Sequence, residues 1–142
     1  MRIFVDANLL VATLNKEYPL FLWSSRLLSL HATRNIVLYT SSLCLAIAFY
    51  FAGKKCGEKT ALFKISLLCQ HLQVTTINEV TIQKVLDDPR VTDFEDGLEY
   101  FSALETPCDF IITENVKDFW FSSIPVMNCE TFLTLLSQNK LP

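Results

Sequence analysis

Two stretches far apart in the chain carry acids where chemistry can be done. Asp6 closes the apolar run Arg2-Ile-Phe-Val-Asp6, and the segment VTDFEDGLEYFSALETPCDFIITENVKDF, Val91 to Phe119, places Asp93, Glu95, Asp96 and Glu99 before a second apolar run, with Asn115 and Asp118 after it. Hard divalent cations want oxygen ligands, so carboxylates that converge read as a metal site. Two unit charges about 4 Å apart repel by roughly 4 kcal/mol at an effective dielectric near 20, so a pair such as Asp6 and Asp96 favours a cation between them. A charge closing a buried strand is costly unless paired or metal-bound, which favours a functional role for Asp6.

For these acids to meet, the segments carrying them must end at one edge of a sheet. Arg2 to Asp6 and Phe110 to Ile112 are apolar without alternation, the mark of strands buried on both faces. Ile36 to Tyr39 and Leu72 to Thr75 read as two more strands, and Pro125 to Met127 as a short fifth. Between them the spacing predicts helices. Asn8 caps a first helix through Thr13, and a second spans Leu20 to Ala32. Ser41 or Ser42 caps a third that runs to Ala52 and is stopped by Gly53. A fourth covers Glu58 to Gln70 with Leu62, Ile65, Leu68 and Cys69 on its core face, and Thr76 to Glu79 forms a capping box opening a fifth to Leu86. The acidic helix comes next, and Cys129 to Leu136 closes the chain. Strands separated by helices give an α/β fold, an α/β/α sandwich around a mainly parallel sheet of four to five strands, with residues 1–142 as a single domain. In such sheets ligands bind beyond the carboxyl ends of the strands, near a switch in strand order.

Composition sets limits on the rest. With 142 residues and 51% hydrophobic content the chain can bury one large core. A net charge of −3 opposes binding of nucleic acid by overall positive potential but leaves a local basic rim open. The basic residues, among them Lys16, Arg26, Arg34, Arg90 and Lys117, are scattered, and each fits a solvated surface best, with contact to phosphates the alternative for Arg90 and Lys117, which flank the acidic segments. Five cysteines without a C-x-x-C pair are neither a disulfide framework nor a zinc signature, and they read as small buried residues in a reducing cytoplasm. Asp6 interrupts what a secretion signal would need, and the uncharged run Ile36 to Gly53 reads as a buried strand and helix instead of a membrane span.

Each candidate also has a plainer role open to it. Asp96 fits the third position of a helix capped by Asp93, and Glu95 the same place after Thr92. Glu99, one turn beyond Asp96, fits a solvated helix face better than a ligand position. Asn8, Thr113 and Asp118 fit a cap, a strand-end hydroxyl and a turn residue. His31 and His71 share no motif and read as structural, while Trp120-Phe121 beside the acidic turn suits stacking on a base or packing against a partner.

The order of these pieces resembles the PIN-domain family, which includes the VapC-like ribonuclease toxins of toxin–antitoxin pairs. Val5-Asp6-Ala7-Asn8 is similar to the family's opening strand end with its first metal-binding Asp, Asp93 to Glu105 to the helix presenting the third acid at Asp96, and Asp109 to Phe119 to the last catalytic strand with Thr113 as its hydroxyl position. Two positions depart from the pattern: Ile47 stands where the second acid belongs, and Asn115 where the fourth does, leaving Asp118 as the nearest carboxylate. The resemblance implies a cytoplasmic endoribonuclease using Mg²⁺ or Mn²⁺. Asp6, Asp96 and Asp118 would bind the metal, with Asn8, Thr113, Asn115 and Glu99 in support. It further implies RNA as substrate, a small antitoxin or a second copy of the chain as partner, and no membrane association. The alternative it leaves open is a weak or inactive PIN-fold module that binds RNA or a protein partner.

Overall fold

The computed structural model describes residues 1–33 and 35–141. Arg34, one of the scattered basic residues, lies outside them.

Ile3, Phe4 and Val5 are all fully buried, so β1 (Arg2–Val5) has protein on both faces and belongs in the middle of a sheet. The remaining strands are β2 (Val37–Ser41), β3 (Gln73–Thr75), β4 (Phe110–Ile112) and β5 (Val126–Met127). All pair in parallel in the order β3-β2-β1-β4-β5. The chain thus builds outward from β1 to β3, then returns to the other side of β1 for β4. The switch in strand order falls between β1 and β4, where Val5 lies in register with Ile112. Parallel pairing requires crossovers, and these supply the flanking helices. They are α1 (Ala7–Asn15), α2 (Leu20–Ser29), α3 (Ser42–Cys56), α4 (Glu58–Leu68), α5 (Glu79–Asp87), α6 (Phe94–Glu105) and the closing α7 (Cys129–Ser137). The fold is the α/β sandwich with a parallel sheet that the segment order predicts.

Local chemistry moves several expected boundaries. Asp6, in extended backbone, caps α1 by accepting the N–H of Ala7, so Asn8 lies inside the helix and its side chain is free to turn elsewhere. A 3₁₀ turn, Leu30–Ala32, replaces the expected last turn of α2. Ser41 caps α3, its Oγ accepting from Cys44 N at 3.0 Å, and the helix passes through Gly53 to Cys56. A single interior glycine costs about 1 kcal/mol, too little to end a helix packed on its neighbours; the stop is Gly57, whose φ of 84° is open to glycine. On α4 the buried positions are Ala61 and Leu68, with Ile65 partly buried against the core, while Leu62 and, just beyond the helix, Cys69 are exposed. The cap of α5 is Asn78, in a reciprocal box with Thr81, and not Thr76.

Asp93 caps α6, its Oδ1 accepting from the N–H of Glu95 at 2.9 Å and of Asp96 at 3.2 Å. Gly97 follows immediately, and a Cβ there would lie 2.6 Å from Val91 and 2.7 Å from Val85. Glycine is what allows the start of α6, with its acids, to lie this close to α5. The uncharged run Ile36 to Gly53 divides between β2 and α3, and among the described residues no helix is long and apolar enough to cross a membrane.

Candidate metal centre

Asp6 follows β1 at the switch point and is almost fully buried, 7% exposed. Its backbone N–H donates to Ile112 O at 3.1 Å, which fixes it against the end of β4. One carboxylate oxygen accepts from Ala7 N. The other accepts from Asn8 Nδ2 at 2.6 Å and from the Thr113 hydroxyl at 2.5 Å. Thr113 Oγ1 in turn accepts from Asn8 Nδ2 and from Asn115 N, each at 3.0 Å. Asn8 and Thr113 therefore orient Asp6 and tie the ends of β1 and β4 together.

Beside Asp6 opens a cleft of about 300 Å³, lined by Asp6, Asn8, Ile47, Phe51, Glu95, Asp96 and Asn115 among others. Burial pushes the Asp96 carboxyl up to about 7, reinforced by the charges of Asp93, Asp6, Asp118 and Glu95. Glu95 is raised in the same way, by burial first and then by Asp93 and Asp6. Asp118 occupies an exposed 3₁₀ turn, Val116–Phe119; it is not among the cleft-lining residues and reaches Asp96 through its charge. Asn115, at the entrance to that turn, does line the cleft.

Glu99 departs from its expected place on a solvated face. It is 1% exposed, directed inward from α6 toward Asp6. The Cys44 thiol donates to its Oε1 at 3.1 Å, while its Oε2 is buried without a hydrogen-bond partner. Burial, then the Asp6 charge, holds the Glu99 carboxyl well above the usual range; burial, then Glu99 and Asp6, does the same for the Cys44 thiol. Cys44, expected only to fill space, thus belongs to the polar cluster. The signal for Glu99 lay in its i+3 spacing from Asp96, on a helix side continued by the small residues Ser102 and Ala103, both fully buried.

These donors fit a divalent cation. Asp6, Glu95 and Asp96 line the cleft, Glu99 approaches Asp6 from the core, and among the described residues none of the four is ion-paired with Lys or Arg; the ion pairs are Lys84–Glu105 and Arg90–Asp88, the second of which engages Arg90 on the surface. The orphaned Glu99 Oε2 is the kind of atom that a cation satisfies.

Residues 2–117 match the sequence pattern of the PIN domain. The chain belongs to the PIN-domain family. It is 25% identical over 135 residues to Ribonuclease VapC1 of Aquifex aeolicus (strain VF5), covering 92% of both chains. Its fold resembles that of VapBC2 from Rickettsia felis, crystallised with a DNA fragment from its promoter, with a TM-score of 0.69 at 18% identity over 90% of this chain and 98% of the other. VapBC-1 of nontypeable Haemophilus influenzae gives 0.69 at 20% identity, covering 92% and 99%. Mycobacterium tuberculosis VapC20, a toxin that cleaves the sarcin-ricin loop, gives 0.60 at 18% identity, covering 77% and 86%.

Within this PIN fold the cleft has one apolar wall, because Ile47 of α3 stands in it where the family resemblance puts an acid. A separate cavity of about 400 Å³ is lined by Leu14, Leu28, Leu67 and Leu68 and by His31 and His71. Those two rings lie in contact, tilted by 38° with centroids 3.9 Å apart, a pairing across 40 positions that no local sequence signal carries. No carboxylate lines that cavity, whereas Asp6, Glu95 and Asp96 line the smaller cleft.

Proposed function

We propose that this chain is a divalent-metal-dependent endoribonuclease, the toxin half of a toxin–antitoxin pair, acting in the cytoplasm as one PIN domain. The observation that carries this reading is Asp6, locked by Asn8 and Thr113 at the β1–β4 switch point and facing Asp96 across a cleft without a paired cation. The ribonuclease relative adds weight to it.

Asp6 and Asp96 would hold Mg²⁺ or Mn²⁺. When bound, the ion supplies charge against the phosphodiester and acidifies water for hydrolysis. The chain's own residues do the positioning. Asn8 and Thr113 fix the Asp6 oxygens, Asn115 presents a neutral polar group to the cleft, and Asp118 contributes negative charge from outside its wall. Trp120, 64% exposed beside that turn, is available to stack on a base, and the adjoining exposed Lys117 to meet a phosphate; Phe121 is instead buried in the core.

An antitoxin is the partner that this surface suits. Phe51 lines the cleft and is half exposed, with Tyr50 beside it and Leu62 and Phe63 on the adjoining α4 also exposed. Such a strip fits the apolar face of a small partner's helix, with a second copy of the chain as the alternative occupant.

A second reading rests on Ile47: with an apolar residue in the cleft wall, the domain binds RNA or a protein partner and cuts poorly or not at all. Cleavage of a mixed RNA pool in Mn²⁺ or Mg²⁺, with EDTA and Asp96→Asn as controls, separates the two. Metal-dependent cutting that disappears in Asp96→Asn supports the nuclease. Folded protein that cuts no better than the variant supports the binding module.

A further inference from the structure

Behind the cleft lies a second group of donors, two of which, Cys44 and Glu99, the nuclease reading does not use. The Cys44 thiol, the Glu99 carboxylate and the Asp6 carboxylate each offer a ligand atom within 4.8 Å of the other two, and all three residues are buried. Cys44 comes from the first turn of α3, Glu99 from the second turn of α6 and Asp6 from the end of β1, so three separate elements converge on this point. The Glu99 and Asp6 carboxyls lie close to one another, and two carboxylates in contact need a proton or a cation between them. Glu99 Oε2 has no donor, an uncommon state for a buried carboxylate oxygen.

We propose that Cys44, Glu99 and Asp6 form an inner site for a borderline-soft divalent cation, of which Zn²⁺ is the best fit, separate from the Mg²⁺ or Mn²⁺ position in the cleft. The donor set selects the ion. One thiolate with two carboxylates suits Zn²⁺ or Co²⁺, which accept sulfur and oxygen in a four-coordinate arrangement, and is poor for Mg²⁺, which takes six oxygens. A bound dication offsets two of the three negative charges of a thiolate and two carboxylates, and Ala7 N–H, Asn8 and Thr113 already donate to Asp6. Entry is from the cleft, in whose wall Asp6 lies. The site lets Asp6 serve two ions, one on each side of its carboxylate. It stands or falls by metal binding, whatever the outcome for RNA.

The test is Co²⁺ titration of chelator-stripped full-length protein. The expected result is one equivalent bound, with a thiolate-to-cobalt charge-transfer band in the near ultraviolet that Zn²⁺ displaces and excess Mg²⁺ does not. Cys44→Ser removes the band, Glu99→Gln weakens Co²⁺ binding by about 10–100-fold, and serine at the intermediate Cys56 or the exposed Cys69 leaves the band unchanged. X-ray absorption of the Zn²⁺-loaded wild type, which needs no variant, is expected to show one sulfur neighbour near about 2.3 Å. Absence of the band or of the sulfur neighbour in folded wild-type protein, or persistence of the band in Cys44→Ser, overturns the proposal. RNA cleavage that continues in Mn²⁺ with no thiolate band removes the inner site alone and leaves the nuclease reading standing.

Discussion

Thr113 Oγ1 lies 2.5 Å from Asp6 Oδ2, although the two residues are 107 positions apart. A hydroxyl donating to a carboxylate at this separation is a short charge-assisted bond, and it ties the end of β4 to the residue on which the site depends. Thr113→Val keeps the shape but leaves a buried carboxylate oxygen short of a donor, for an expected loss of about 1–3 kcal/mol in chemical denaturation. Thr113→Ser, which restores the hydroxyl, is expected to recover most of it.

Asp96 shares the cleft with Asp6, and removing its charge takes away one of the two carboxylates assigned to the cation. In Asp96→Asn, Mn²⁺ affinity measured by calorimetry and RNA cleavage are both expected to fall by more than the roughly 10–100-fold that loss of a mere outer-shell partner costs. Unchanged affinity would remove Asp96 from the ligand set.

The same residue sets a pH dependence. Burial first, then neighbouring acids, raises Asp96 to about 7, and Glu95 and Glu99 are raised as well. A carboxyl raised in the folded state contributes stability that is present below its unfolded pKa and lost as pH climbs through the folded value. The melting temperature of metal-free protein is therefore expected to decline between about pH 5 and pH 8. In Asp96→Asn the decline is expected to be shallower, leaving the variant the more stable of the two at the alkaline end. Saturating Mn²⁺ raises the melting temperature most at that end, where protons no longer compete for the ligands.

Gly97→Ala tests how the acids are held in place. The added Cβ would meet Val91 and Val85 at 2.6 and 2.7 Å, so α6 must shift from α5. An expected cost of about 1–3 kcal/mol is the usual penalty for overpacking. Cleavage should fall along with stability, because Asp96 is the preceding residue and moves with the helix.

Ile47→Glu restores an acid to the apolar wall of the cleft. Apparent Mn²⁺ affinity is expected to rise, by about tenfold for each 1.4 kcal/mol of added attraction, at some loss of metal-free stability from the extra carboxylate at this half-buried position. If affinity for Mn²⁺ is unchanged in folded variant protein, Ile47 is not at the cation.

The sequence by itself determined the segment order, the parallel sheet and the approach of Asp6 to the acidic helix. Each depends on patterns a few residues long: an unalternating apolar run ending in Asp6, helical spacing between such runs, and an acidic helix start before β4. The same local signals did not separate Thr76 from Asn78 as a cap or Gly53 from Gly57 as a stop, because capping side chains recur and packing outweighs one interior glycine. The inner side of the site was decided only by tertiary structure. Glu99 reads locally as a surface residue and Cys44 as a small core filler, and what makes them a pair is the convergence of α3 and α6 beyond the end of β1, which takes Glu99 out of water and sets its carboxylate against Asp6. A carboxylate's solvation and partners follow from which helix covers it, and the covering helix here lies more than fifty positions away in the chain.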